Sequence, residues 1–128
     1  MIRILAADDD QEQLNLRKRL LEAAGHEVDL ALDPDETMRR LQQGVTDLVI
    51  MDLRFPNAQG TPDSAEGLAL IRRIRKAGYR APVIVLSGWP EDLYGQPEER
   101  MVSRILIKPV KPADLMEAIE EAVERSER

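Results

Sequence analysis

With 128 residues, 43% of them hydrophobic and 33% charged, the chain has the size and balance of one soluble globular domain with a single sizeable core, which leaves no room for a second ordinary domain. No apolar run approaches the length that crosses a bilayer, so no membrane association is expected. A net charge of −6 argues against nucleic acid as a direct partner, because the phosphate backbone wants a basic face.

The absence of cysteine leaves the redox compartment open. The N-terminus runs through Ile2, Ile4, Leu5, Ala6 and Ala7 straight into Asp8-Asp9-Asp10. It lacks the shape of a signal peptide, so a cytoplasmic location is expected. Residues Ile2 to Ala7 read as a first strand ending in acid. Asp10 with Gln13 three residues on resembles a capping pair that opens a helix. Leu14, Leu16, Leu20, Leu21, Ala23 and Ala24 give that helix a broad apolar face, and Gly25 stops it. His26, the only histidine, falls in the following turn and is expected to be exposed. A second strand follows at about Val28 to Leu32. Asp33-Pro34-Asp35-Glu36 then predicts a helix start, with an N-cap acid, proline at the first helical position and glutamate at the third. Met38 and Leu41 face inward, and Gly44 ends this short helix.

Leu48-Val49-Ile50-Met51 is too short for a free-standing helix and too uniformly apolar for a half-exposed strand. It reads as a buried central strand of a parallel sheet with Asp52 at its C-terminal end. From Asn57 to Glu66 the chain is polar and rich in turn formers, and no regular structure is expected there. Gly67 to Ala77 recovers a helical pattern through Leu68, Leu70, Ile71 and Ile74, with Gly78 at the stop. Its cluster of Arg72, Arg73, Arg75 and Lys76 reads as a solvated helix face. Val83-Ile84-Val85-Leu86 is a second buried strand ending on Ser87. Pro90, Gly95 and Pro97 then permit only a short or distorted helix before Arg100. Ile105-Leu106-Ile107 is the last strand, ending on Lys108-Pro109. Pro112 opens a C-terminal helix with Leu115, Ala118, Ile119, Ala122 and Val123 in one stripe. Strand and helix thus alternate five times, which implies an α/β fold with a parallel sheet covered on both faces.

In such a sheet all the strand C-termini lie at one edge, so Asp8, Asp9, Asp52, Ser87 and Lys108 should converge. Three neighbouring carboxylates repel and raise one another's pKa unless a cation neutralises them. All-oxygen ligands of high charge suit Mg²⁺, while the lysine and the serine hydroxyl offer donors to an anion beside it. Metal, cation and hydroxyl around one carboxylate make a site for phosphoryl transfer.

The stretches Ile4 to Asp10, Val49-Ile50-Met51-Asp52-Leu53-Arg54-Phe55-Pro56, Val85-Leu86-Ser87-Gly88 and Ile107-Lys108-Pro109, each weak alone, together resemble the receiver domain of two-component response regulators. The chemotaxis response regulator is that family's single-domain example. The resemblance implies one receiver domain over 1–128. Its fold would be a flavodoxin-like doubly wound sheet of strand order 2-1-3-4-5, with helices on both faces. It implies that Asp52 accepts a phosphoryl group from a histidine kinase or phosphotransfer protein, as a nucleophile, and that binding to a downstream protein switches in consequence. Asp8, Asp9, Asp52 and the backbone carbonyl of Arg54 would hold Mg²⁺, with Asp9 the foremost direct ligand of the first pair. Ser87 and Lys108 would bond the phosphoryl oxygens. Lys108-Pro109 matches the family's cis-proline junction, which holds that lysine. The surface beside the C-terminal helix often serves homodimerisation or partner docking in the family. The domain would not be an enzyme beyond catalysing its own phosphorylation and dephosphorylation.

Three departures from the family stand out. The loop at 57–66 is longer by roughly seven residues, an insertion of the kind surface loops tolerate. A lid or partner contact bearing Asp63 or Glu66 is the sharper alternative. Ile105 occupies the place of an aromatic switch residue, so coupling from Ser87 is either weaker or runs through Trp89 to Met101, which includes Tyr94. Arg54 and Trp89 occupy positions that in this family tune the lifetime of the phosphoryl group. A receiver working mainly through phosphorylation-independent protein contacts is the alternative reading. A haloacid-type phosphatase would need a second aspartate where Arg54 stands. A flavodoxin would bind phosphate where three aspartates would repel it.

Overall fold

A computed structural model describes residues 1–127. In chain order the elements are β1 (Arg3–Ala7), α1 (Gln11–Ala23), β2 (Glu27–Ala31), α2 (Pro34–Gln43), β3 (Leu48–Asp52), β4 (Phe55–Pro56), β5 (Pro62–Asp63), α3 (Ser64–Lys76), β6 (Val83–Ser87), β7 (Arg104–Ile107) and α4 (Pro112–Ser126). Two 3₁₀ turns, Pro90–Asp92 and Pro97–Met101, stand where Pro90, Gly95 and Pro97 forbid a continuous helix. The main sheet has the order β2-β1-β3-β6-β7, with every pairing parallel. Counting only these five strands, that is the expected 2-1-3-4-5 arrangement.

Side-chain alternation along the strands divides the core in two. Leu5, Ala7, Val49, Met51, Val83 and Val85 face one layer with Met38 and Leu41 of α2 and with Leu70, Ile71 and Ile74 of α3. Ile4, Ala6, Leu48, Ile50, Ile84 and Leu86 face the other, with Leu14 and Leu21 of α1 and with Leu115, Ala118, Ile119 and Ala122 of α4. Because β3 is covered on both sides, Leu48 to Met51 are all fully buried, each contributing about 2 kcal/mol of burial.

The helix starts are read correctly at Asp10, whose side chain accepts from the Glu12 and Gln13 N–H groups, and at Asp33, which accepts from the Glu36 N–H. Four expectations need correction. The stretch after Pro56 is not irregular: β4 and β5 pair antiparallel in the register Phe55↔Asp63 and Pro56↔Pro62. The Asn57 side chain builds this hairpin, its Oδ1 accepting from the Gln59 and Thr61 N–H groups, while Gly60 supplies the positive φ of 80°. Secondly, α3 begins at Ser64 rather than Gly67, since Asp63 caps it through the Ala65 N–H. Thirdly, Leu16 of α1 is exposed, because it lies off the 14/17/21 stripe that meets the sheet. Finally, the basic cluster on α3 is a solvated face only in part: Arg72, Arg73 and Lys76 are exposed as expected, whereas Arg75 is half-buried. Arg72 pairs with the buried Glu98 at 3.0 Å and Arg73 with Asp35 at 3.0 Å. The Arg75 guanidinium donates to the carbonyls of Tyr79, Ala81 and Met101, tying α3 to the loops on either side of β6. Smaller shifts put β1, β2 and β7 at Arg3, Glu27 and Arg104, each within a residue of expectation.

Gly67 matters for a steric reason. A Cβ built there would lie 1.9 Å from the carbonyl oxygen of Leu53 and 2.8 Å from its Cα, so α3 rests backbone to backbone on the residue that follows Asp52. Gly67→Ala is expected to cost about 3 kcal/mol through forced displacement of that contact. Gly88→Ala, where a Cβ meets open space, is expected to stay within about 0.5 kcal/mol of wild type. Urea unfolding of the two variants checks this; equal stabilities would contradict the close approach.

Candidate functional site

The strand register brings the polar residues to one edge. Ala7 is paired with Met51, Asp52 with Leu86, and Ser87 with Ile107, so Asp8, Asp52, Ser87 and Lys108 all emerge where the strands end. Main-chain bonds extend that order past the strands, with the Asp8 N–H donating to Ala31 and the Lys108 N–H to Ser87. The peptide bond between Lys108 and Pro109 is cis, as the resemblance implied.

Oxygen atoms of Asp8, Asp9 and Asp52 lie within 4.8 Å of one another. Asp8 is buried, Asp52 half-buried and Asp9 exposed. Burial pushes the Asp52 carboxyl above its ordinary value, partly opposed by Lys108 and reinforced by Asp8. Asp9 is also pushed up, by burial and then by the Asp8 charge. The Lys108 Nζ stands 3.2 Å from Asp52 Oδ2 and 3.6 Å from Asp8 Oδ2, a single cation shared between two acids. Asp8 Oδ1 accepts from the Asp10 N–H, whereas its buried Oδ2 has no hydrogen-bond donor. An electron-rich oxygen without a donor, in a cluster of three carboxylates, fits a hard divalent cation that binds through oxygen.

Ser87 is fully buried, and its hydroxyl oxygen accepts from the Trp89 N–H at 2.9 Å. It thus reaches the common edge but is engaged by its own loop. Arg54 folds sideways from the end of β3. Its guanidinium donates to Asp92 Oδ2 at 2.8 and 3.1 Å and stacks 3.7 Å from the centre of the half-exposed Trp89 ring. Arg54 and Trp89, singled out for their places beside Asp52 and Ser87, therefore touch each other, bridging the loops after β3 and β6. Asp92 was missed in the sequence because nothing periodic surrounds it.

Other sequence expectations fall away from this edge. Asp63 is spent on capping α3 and accepting from the Asn57 side chain. His26 is half-buried rather than exposed. Its Nδ1 accepts from the Ile2 N–H at 3.3 Å, and burial lowers its pKa. Ile105 packs partly buried against the α2/α3 layer. None of the described helices is long and apolar enough to cross a membrane.

The raised pKa of Asp52 has a consequence for stability. A carboxyl easier to protonate when folded opposes folding once it ionises; the cost is absent below its ordinary value of 3.8 and complete above the raised one. Asp52→Asn in metal-free buffer should therefore raise the thermal midpoint at pH 7 by about 3 °C. That gain should vanish as the pH falls below the ordinary value; scanning calorimetry against pH checks both.

Comparison with known proteins agrees with this geometry. Residues 4–120 match the family model of the response regulator receiver domain. The virulence transcriptional regulatory protein PhoP of Salmonella typhimurium is 36% identical over 94 residues, which make up 71% of this chain and 39% of that protein. The transcriptional regulatory protein DltR of Streptococcus agalactiae is 31% identical over 86 residues, 67% of this chain and 35% of that one. The chain thus spans well under half the length of these curated relatives. Among solved structures, a response regulator receiver domain protein from Clostridium thermocellum superposes with a TM-score of 0.85 at 29% identity, covering 99% of this chain and 98% of its own. The response regulator TrrA from Thermotoga maritima, solved in complex with Mg²⁺ and BeF, gives 0.81 at 26% identity, covering 95% and 99%. With the strand order, the acidic edge and the family match over nearly its whole length in agreement, this chain belongs to the response regulator receiver domain family.

Proposed function

We propose that this receiver accepts a phosphoryl group on Asp52 from the phosphohistidine of a kinase or phosphotransfer protein, and that the change alters binding to a downstream protein or to a second copy of the chain. Receiver domains of response regulators work with histidine kinases and downstream effectors. The observation that carries the reading is Lys108 shared between Asp52 and Asp8 inside a three-carboxylate cluster.

In the proposed step an Asp52 oxygen attacks phosphorus, the O–P bond forms as the P–N bond to the donor imidazole breaks, and the imidazole leaves with the bonding pair. Asp8, Asp9, Asp52 and the Arg54 carbonyl would hold Mg²⁺, whose presence in TrrA supports the assignment. When bound, the ion would neutralise the carboxylates and draw charge from the phosphoryl oxygens. Lys108 turns its ammonium from Asp52 to the arriving phosphoryl oxygens, and the Ser87 hydroxyl donates to another. That second bond competes with none that the serine donates now, since its oxygen is an acceptor toward Trp89. Movement at Ser87 would pass to the Trp89 N–H and on to Arg54 and Asp92, a route that replaces an aromatic at the place of Ile105. Reversal by water, catalysed at the same residues, completes the only chemistry proposed for the domain.

Incubation with acetyl phosphate and Mg²⁺ should add one phosphoryl group by intact mass. Asp52→Asn should abolish the gain and chelation should prevent it. No gain in a protein that binds Mg²⁺ would favour the phosphorylation-independent reading. Arg54→Ala should shorten the lifetime of the phosphorylated form about threefold by opening the loops beside it to water, followed by mass after removal of the donor. An unchanged lifetime would remove Arg54 and Trp89 from that role.

A further inference from the structure

Arg17 is out of pattern. It lies three residues after Leu14 and four before Leu21, both fully buried, so it belongs to the face of α1 that packs on the sheet. An apolar residue would suffice for packing there, and a guanidinium is costly to bury without a partner. Its side chain is only 9% exposed, and its Nη1 lies 3.6 Å from Asp8 Oδ2. Neither of these two atoms makes a hydrogen bond. They are held together by charge, across a gap slightly too long for a donor and acceptor. Lys108 approaches the same oxygen from its own loop at 3.6 Å.

We infer that Arg17 is a resident counter-cation of the acidic cluster: it balances Asp8 while the site is empty and competes with the incoming divalent ion for that carboxylate, thereby setting the metal affinity. The inference rests on the metal site proposed above. With Asp8, Asp9 and Asp52 ionised, three negative charges face two positive ones from Arg17 and Lys108. A divalent ion entering that arrangement leaves an excess of positive charge. Without Arg17 the same ion would be matched by the remaining charges, so binding should tighten rather than weaken. This sets Arg17 apart from a residue that merely props up Asp8, whose loss would disorder the ligand and reduce affinity.

The test is calorimetric titration of the whole chain with Mg²⁺ at about 0.1 M salt, where charges this close are only partly screened. Arg17→Met removes the charge and keeps an unbranched stem; Arg17→Gln removes it with a polar end, so a folding defect in one does not decide the matter. Both should bind Mg²⁺ at least about fivefold more tightly than wild type. Arg17→Lys should stay within about twofold. So should Arg19→Gln, an exposed position on the same helix that changes net charge equally. Thermal midpoints with and without Mg²⁺ should widen in the same order. Wild type that binds Mg²⁺ with unchanged or weaker binding in the neutral variants would overturn the role of Arg17 alone. Failure of wild type and variants alike to bind would overturn the metal site beneath it.

Discussion

The structure depends on keeping like charges together at the end of a buried strand. Nothing in the packing of β3 requires Asp52, and burial works against its charge. The arrangement persists because Lys108 is delivered from the far side of β6 to within 3.2 Å of it. The parallel order of the strands does this: an acid from β1, an acid from β3 and a lysine after β7 meet only because all three strands point the same way. Arg17 brings a second cation from α1. The cluster is thereby only partly charge-compensated and incompletely satisfied, since Asp8 Oδ2 has neighbours of opposite charge but no hydrogen-bond donor.

Around that edge the scaffold is rigid where the site needs precision. Gly67 lets α3 sit on the Leu53 backbone, immediately after Asp52, and the Phe55 ring, fully buried, anchors the strand that continues into the hairpin. The hairpin gives the longer loop its own hydrogen bonds and hands Asp63 to the cap of α3. The segment after Ser87 is built differently, from two short 3₁₀ turns closed by local main-chain bonds such as those from the Leu93 N–H to Pro90 and the Gln96 N–H to Leu93. Its contact to the site runs through Trp89 and Asp92 onto Arg54. That chain of contacts is the route proposed for a change at Ser87.

Much of this was legible in the residues. Uniform apolar runs marked β3 and β6 as buried on both faces, and their last residues named Asp52 and Ser87 directly. Lys108 followed from the same logic at β7. The hairpin was hidden because Pro56 and Pro62 lack donors and argue against strands, while the turn is set by one asparagine side chain. The work of Arg75 could not be read, since its acceptors are main-chain carbonyls of other loops. Arg17 is a different case: the spacing from Leu14 to Leu21 places a charge on a buried face, a signal present in the sequence that needed the position of Asp8 to acquire meaning.

The central claim is that Asp52, among three clustered carboxylates, is the one that becomes phosphorylated. Its most direct test is borohydride reduction of the protein after treatment with acetyl phosphate and Mg²⁺, which converts an acyl phosphate to an alcohol, followed by peptide mapping by mass spectrometry. The account predicts homoserine at position 52 and unmodified aspartate at positions 8 and 9. Reduction at Asp8 or Asp9 with Asp52 intact would contradict it.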